Sequence, residues 1–264
     1  MPLVATPAVV LRTYRYSETS KVVRLATREC GVQSAIAKGA LRPRSPFGAG
    51  LELLSEGVAQ LYLRDGRELQ TLAGFDVANL RRELALDLGR FAGATALAEI
   101  VLRMAPAASH PAAYDALVAG LDSLVATGIA AADAAGIRAL WRLLAVLGFE
   151  PSLRGCVRDD TPVDADHPVT FSAAEGGVLC ERCAAERPEA AQTRLAARDY
   201  RDLLVLNDPT VPLPALDAKH AAAHRRLVAR FVRHHSGEAD RFPALELWER
   251  HSWAPLSPPQ PVAS

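Results

Sequence analysis

The chain has 264 residues, half of them hydrophobic, which is enough to bury a substantial core and excludes disorder over most of its length. Its 30 basic and 30 acidic side chains cancel to a formal net charge of zero, so a nucleic-acid partner would have to be met by a local patch and not by a whole-molecule field. The opening Met1 to Pro7 lacks a basic n-region, carries two prolines and runs into Arg12 and Arg15, and the alanine-rich stretches are broken by Asp, Arg, Gly and Pro short of the roughly 18 residues a membrane span needs; a soluble, cytoplasmic protein with no membrane partner is expected.

From Ala8 to Phe75 short β-type runs alternate with turn signals, and five strands are predicted, at Val9 to Tyr14, Ser20 to Thr27, Gly31 to Lys38, Gly57 to Leu63 and Leu69 to Phe75. Val22 and Leu25 fall out of phase in the second run, which predicts a bulge or strong bend of the kind that closes a small barrel. Arg64-Asp65-Gly66-Arg67 reads as a tight hairpin turn, and Lys38 to Gly48, with two prolines, as a basic loop.

After Asp76 apolar residues recur at helical spacing, with Leu80, Leu84, Leu88 and Phe91 as one core stripe and Leu97, Val101 and Met104 as another. Tyr114 to Leu124 resumes the pattern, and Ile137, Leu140, Trp141, Leu144 and Leu147 form the apolar face of a helix ending at Gly148. A loop-rich segment follows, and helical spacing returns over Ala197 to Leu206 and Ala215 to His235. The fold class is therefore α+β: an N-terminal OB-fold β-barrel over 1–78, then an all-α domain over 79–250 with a knuckle inserted at about 152–184. A proline-rich tail over 251–264, lacking apolar residues to offset ordering entropy, is expected to be disordered.

The insert holds three of the four cysteines. Cys180-Glu181-Arg182-Cys183 has the spacing with which two thiolates grip one zinc ion, Cys156 lies upstream where a second half-knuckle would be, and the position that would complete that half is Asp159. One structural zinc held by Cys156, Asp159, Cys180 and Cys183 is expected, with Asp160 and His167 as competing donors, and Phe171-Ser172 with Gly176 to Leu179 as a small hairpin that brings the halves together. A catalytic zinc would need a base motif that the sequence does not offer.

Over residues 1–48 only Glu18 and Glu29 oppose eight cations. Arg12, Arg15, Lys21 and Arg24 on early strands, with Lys38, Arg42 and Arg44 in the basic loop, are therefore candidates for a groove that follows a phosphate backbone, with Tyr14, Tyr16 and Phe47 placed to stack on bases or, for Phe47, to fill the barrel. Arg138 and Arg142, four apart, project together beside the apolar face of their helix. Arg226, Arg230 and Arg233 give a late helix a basic outer face, while His220 and His224, one turn apart but with no third ligand nearby along the chain, read as surface or cap histidines.

Tyr16 to Lys21, Lys38 to Gly48, Leu147-Gly148-Phe149-Glu150-Pro151, Phe171 through Cys183 and the helix from His224 to His235 together resemble, in order and over nearly the whole chain, the RecO family of bacterial DNA repair proteins. The resemblance implies a non-enzymatic recombination mediator that binds single- and double-stranded DNA, anneals complementary strands and helps RecR load RecA onto strands coated by single-strand-binding protein, in the cytoplasm at the nucleoid. It further implies that the helix carrying Arg138 and Arg142 holds the acidic-hydrophobic tail of single-strand-binding protein, with Arg138 at the basic position that pairs with the tail. Asp159 stands where zinc-bearing members usually have cysteine. An RNA-binding OB protein with a zinc ribbon and a zinc-dependent enzyme are the alternatives from the residues alone.

Overall fold

The computed structural model describes residues 2–48, 50–64, 66–186, 192–237 and 241–250; the expected tail at 251–264 and Asp65 of the expected hairpin turn lie outside the described residues. Five strands form a closed barrel in the order β1-β2-β3-β5-β4: β1 (Leu3–Arg15), β2 (Lys21–Thr27), β3 (Gly31–Ala37), β4 (Glu56–Tyr62) and β5 (Leu69–Asn79). Antiparallel pairing of Leu3 to Val9 with Tyr62 to Glu56 joins β1 to β4, and a short parallel pairing of Ser34 to Ala37 with Leu69 to Leu72 completes the ring. A barrel ordered this way is the OB type, which removes sheet edges by closure.

The bulge predicted from the second run lies in that strand pair, but the extra residue is on β1. Register shifts between Val10, opposite Leu25, and Arg12, opposite Arg24, leaving Leu11 without a counterpart. The physical reason is that β1 and β2 bury both faces: Val10, Val23 and Leu25 fill the barrel, while Val9, Leu11 and Ala26 pack into the helical core, so Leu11 is displaced towards the helices and the phase of β2 itself stays regular.

The chain enters the helices through Arg81, a buried residue in the left-handed region at φ 43°, and a short 3-10 turn at Arg82–Leu86. The stripe Leu80, Leu84, Leu88 and Phe91 is not one helical face. Asp87 interrupts it, accepting from the Arg90 amide to cap α1 (Leu88–Met104), and Leu88 is left 59% exposed. Then come α2 (Pro111–Ala126) and α3 (Ala132–Val146); α3 ends on Gly148 at φ 90°, with Gly148 and Phe149 amides bonded to the Ala145 and Leu144 carbonyls, a Schellman stop.

The insert is a three-stranded sheet and not a bare hairpin. β6 (Val169–Ser172) pairs with β7 (Gly177–Leu179) as the sequence predicts, and on its other side with β8 (Gln192–Leu195), which lies beyond the expected end of the insert. Between β7 and β8 lies the short α4 (Glu181–Glu186). The fold ends with α5 (Ala197–Asn207), α6 (Ala218–His235) and α7 (Pro243–Arg250), the last absent from the sequence reading. An aromatic cluster ties the insert down: Trp141 of α3 meets Phe231 of α6 edge-on at 5.1 Å and Phe171 of β6 at 6.3 Å. Such pairs add about 0.5–1.5 kcal/mol each beyond area burial. Glu99 of α1 reaches across to accept from the Ala244 and Leu245 amides at the start of α7. No helix among the described residues is long and apolar enough to cross a membrane.

Candidate nucleic-acid interface and metal centre

The β1–β2 register sets most of the predicted cations side by side. Arg12 is directly opposite Arg24 and Arg15 opposite Lys21, two like-charged cross-strand pairs, and the Glu99 carboxylate of α1 lies close enough to Arg12 to feel its charge. Arg12 also rests on the exposed Tyr14 ring, 5.0 Å from its centroid, and Tyr16 is 62% exposed in the turn that follows. The basic loop is pinned to this hairpin by the Leu41 amide bonding to the Thr19 carbonyl, and it presents Lys38, Arg42 and Arg44 to solvent. Phe47 is not a base-stacking residue: at 4% exposure it plugs the barrel core beside Leu51 and Phe75.

Sequence reasoning missed part of this surface. Lys38 shares a cleft of about 180 Å3 with Arg64, Arg67 and Tyr62 from the β4–β5 hairpin, continuing the cationic face onto a second edge of the barrel. The signal was present in the two arginines flanking the Asp-Gly pair, which serves turn geometry and hides their charge.

Arg138 and Arg142 both line a cavity of about 200 Å3 between α2, α3 and the end of α5, walled by small residues such as Ala116, Gly120 and Ala139, with Trp141 at its wall. The Trp141 indole N–H is buried without a partner. The two arginines differ. Arg142 is exposed, whereas Arg138 is partly buried and donates to the Val205, Val211 and Pro212 carbonyls at 2.9, 2.8 and 3.2 Å, so it also anchors the α5–α6 connection. Those acceptors are neutral, but the Asp208 carboxylate lies close enough to oppose the charge; burial lowers the pKa of the guanidinium from its ordinary value. On α6, Arg226, Arg230 and Arg233 face outward, but Arg230 donates to Thr193 Oγ1 and Arg233 pairs with Glu249.

In the insert Cys156, Asp159, Cys180 and Cys183 converge, their ligand atoms all within 4.8 Å of one another. The first half is a tight turn in which the Asp160 amide bonds to the Cys156 carbonyl, with Asp160 at φ 57°; in the second, the Cys183 amide points at Cys180 Sγ, 3.4 Å away, and lowers the Cys180 thiol pKa. Asp159 Oδ2 lies 3.6 Å from Cys180 Sγ and 3.4 Å from Cys183 Sγ. A tetrahedral zinc at its usual bond lengths separates sulfur and oxygen ligands by about 3.6 Å, so the donor set fits such an ion. Arg182 Nη2, 2.7 Å from the same oxygen, holds the Asp159 carboxyl well below the ordinary carboxylate range. His167 instead pairs with Asp164, and neither it nor Asp160 belongs to this cluster. His220 is half-buried and His224 is 1% exposed, so His224 is not the surface or cap histidine that the sequence suggested.

A closed five-stranded barrel with a cationic edge, a helical lobe and a thiol knuckle define a multi-part protein of the OB-fold class. Residues 1–81 match the model of the recombination protein O N-terminal domain and residues 85–241 that of its C-terminal domain. The chain is 35% identical to the DNA repair protein RecO of Symbiobacterium thermophilum over 79% of its length and 82% of that protein. It is also 35% identical to RecO of Anaeromyxobacter dehalogenans strain 2CP-C, over 90% of this chain and 93% of that one. The chain belongs to the RecO family.

Proposed function

We infer that this protein is a recombination mediator: it binds single- and double-stranded DNA, anneals complementary strands, and with RecR helps RecA replace single-strand-binding protein. Family membership across both halves of the chain carries this reading and sets it above an RNA-binding or zinc-enzyme role. The paired cations Arg12 with Arg24 and Arg15 with Lys21, together with Lys38, Arg42 and Arg44, supply the phosphate contacts, and Tyr14 and Tyr16 the stacking surfaces. No covalent step is catalysed, and the protein acts at the nucleoid. The cavity beside α3 takes the tail of single-strand-binding protein: its apolar wall receives the tail's hydrophobic residues, Trp141 Nε1 offers a donor, and Arg142 with Arg138 offers charge to the acidic groups.

Zinc held by the Cys156, Asp159, Cys180 and Cys183 set would be structural, locking the turn at Cys156 to the end of β7; the four protein donors leave no open position for substrate. The function is tested by annealing of complementary oligonucleotides followed by fluorescence: acceleration is expected from the purified protein, with and without single-strand-binding protein, and an unchanged rate in both conditions would refute the mediator reading.

A further inference from the structure

A second cleft, of about 380 Å3, lies beside the cavity assigned to the tail of single-strand-binding protein. Its walls are the segment Ser152 to Gly155, which leads into the knuckle, and Leu204 and Asp208 at the end of α5. Glu150, Asn207 and Pro209 line both spaces, so one opens into the other around the last turn of α5. The tail cavity holds about 200 Å3, less than the roughly 300–1,000 Å3 of an ordinary ligand pocket, so a peptide seated there continues onto adjoining surface.

The two spaces differ in character. Small apolar side chains wall the tail cavity, whereas the second cleft presents main chain and charge. The Leu153 carbonyl is taken by the Tyr200 hydroxyl, but among the described residues the Leu153, Arg154 and Gly155 amides donate to nothing. Free amides on the wall of a cleft are donors for the carbonyls of an extended chain. Arg154 is exposed, and its neighbours Arg158, Arg182, Arg198 and Arg201 each have a carboxylate partner. By contrast Arg138, Arg142 and Arg154, the arginines that face the joined clefts, form no ion pair among the described residues. Asp208 feels the charge of both Arg154 and Arg138, but its Oδ1 accepts from the Thr210 amide and hydroxyl at 2.9 and 2.6 Å. Glu150, exposed where the clefts meet, opposes any carboxylate placed at that junction.

We propose that the two clefts form one groove for an extended acidic peptide, with Arg154 as a second residue that reads its charge. This rests on the reading that the cavity beside α3 takes the acidic-hydrophobic tail of single-strand-binding protein: the hydrophobic end fills that cavity, and the acidic residues before it cross the second cleft. Arg154 pairs with one of their carboxylates, and the free amides of Leu153 to Gly155 take main-chain carbonyls. Charge alternates along the groove, with cations at Arg142 and Arg154 and an anion, Glu150, between them. That order selects a peptide with a neutral residue at the junction, and so discriminates by sequence as well as by net charge.

Fluorescence anisotropy on the full chain tests this with two peptides, the C-terminal decapeptide of a single-strand-binding protein and its terminal tetrapeptide. Arg154→Glu, at an exposed side chain with no ion pair to lose, should weaken the decapeptide by about fivefold or more and leave the tetrapeptide unchanged. Glu150→Gln should tighten the decapeptide by about twofold. Arg142→Glu should weaken both peptides. If Arg142→Glu weakens both while Arg154→Glu binds the decapeptide at full strength, or loses the two peptides equally, the second cleft is overturned and the tail cavity stands. Undiminished binding of both peptides by Arg142→Glu, or no binding of the decapeptide by the unaltered protein, overturns the tail cavity and this proposal with it.

Discussion

Removing the guanidinium of Arg81 should loosen the joint between barrel and helices more than any other single surface-sparing change. Its side chain is 1% exposed and its charge is shared between Glu56 of β4 and Asp122 of α2, with the Leu54 carbonyl as a third acceptor. Arg81→Met keeps the apolar stem and strands Glu56, whose remaining partner is the Tyr114 hydroxyl at 3.3 Å. Breaking a buried pair costs about 3–5 kcal/mol. Glu56 is 23% exposed and Asp122 55%, which places the estimate at the low end, about 3 kcal/mol, with Asp122 contributing no more than about 0.5. For a chain of this length that is a fall in Tm of about 6–12 °C by calorimetry or circular dichroism. Arg81→Gly should be milder than Arg81→Ala by about 1 kcal/mol, because glycine accepts the φ of 43° without strain. A fall below about 2 °C for Arg81→Met, with Glu56→Gln equally silent, would refute the reasoning.

Gly31→Ala should destabilise by about 2 kcal/mol or more in urea titration, since its φ is 68° and a Cβ there would meet the Ala107 and Ala108 carbonyl oxygens at 2.4 Å; a change within 0.5 kcal/mol contradicts the contact between this turn and the α1–α2 connection. Arg42→Glu with Arg44→Glu should weaken binding to every single-stranded sequence and reduce the slope of log K against log salt by about 1.4, two phosphate contacts at about 0.7 each; an unchanged slope removes this loop from the interface. Arg142→Glu should lower affinity for a single-strand-binding protein tail peptide by at least tenfold in fluorescence anisotropy, while leaving DNA binding alone, and equal affinity rejects the cavity as the docking place. Asp159→Ala should reduce zinc retained by the knuckle and Asp159→Cys should increase it, measured by competition with a chelator; no difference between the two would dismiss Asp159 as a ligand.

Barrel and helices were legible in the sequence because their period-2 and period-3.6 patterns are enforced by burial on one side. Legibility failed where an element is buried on both sides or where a polar residue acts at long range. Leu11 looks like one more core position until the helices that claim it are known. Leu88 fits a stripe by spacing, yet Asp87 starts a new helix there. β8 and α7 are short and are stabilised by partners distant in sequence, β6 for one and the Glu99 carboxylate for the other. The knuckle was readable because thiol spacing is local geometry. The burial of His224 was not, because it comes from α5, whose Asp199 lies 4.0 Å from His224 across a separation of about 25 residues in the chain.

The central claim is mediation, and loading of RecA onto single strands coated by single-strand-binding protein tests it most directly. RecA filament formation, followed by its DNA-dependent ATP hydrolysis, should be slow on coated strands, slow with RecR alone, and fast with RecR and this protein together. Equal rates with and without the protein, in a preparation that still binds DNA, would contradict the account.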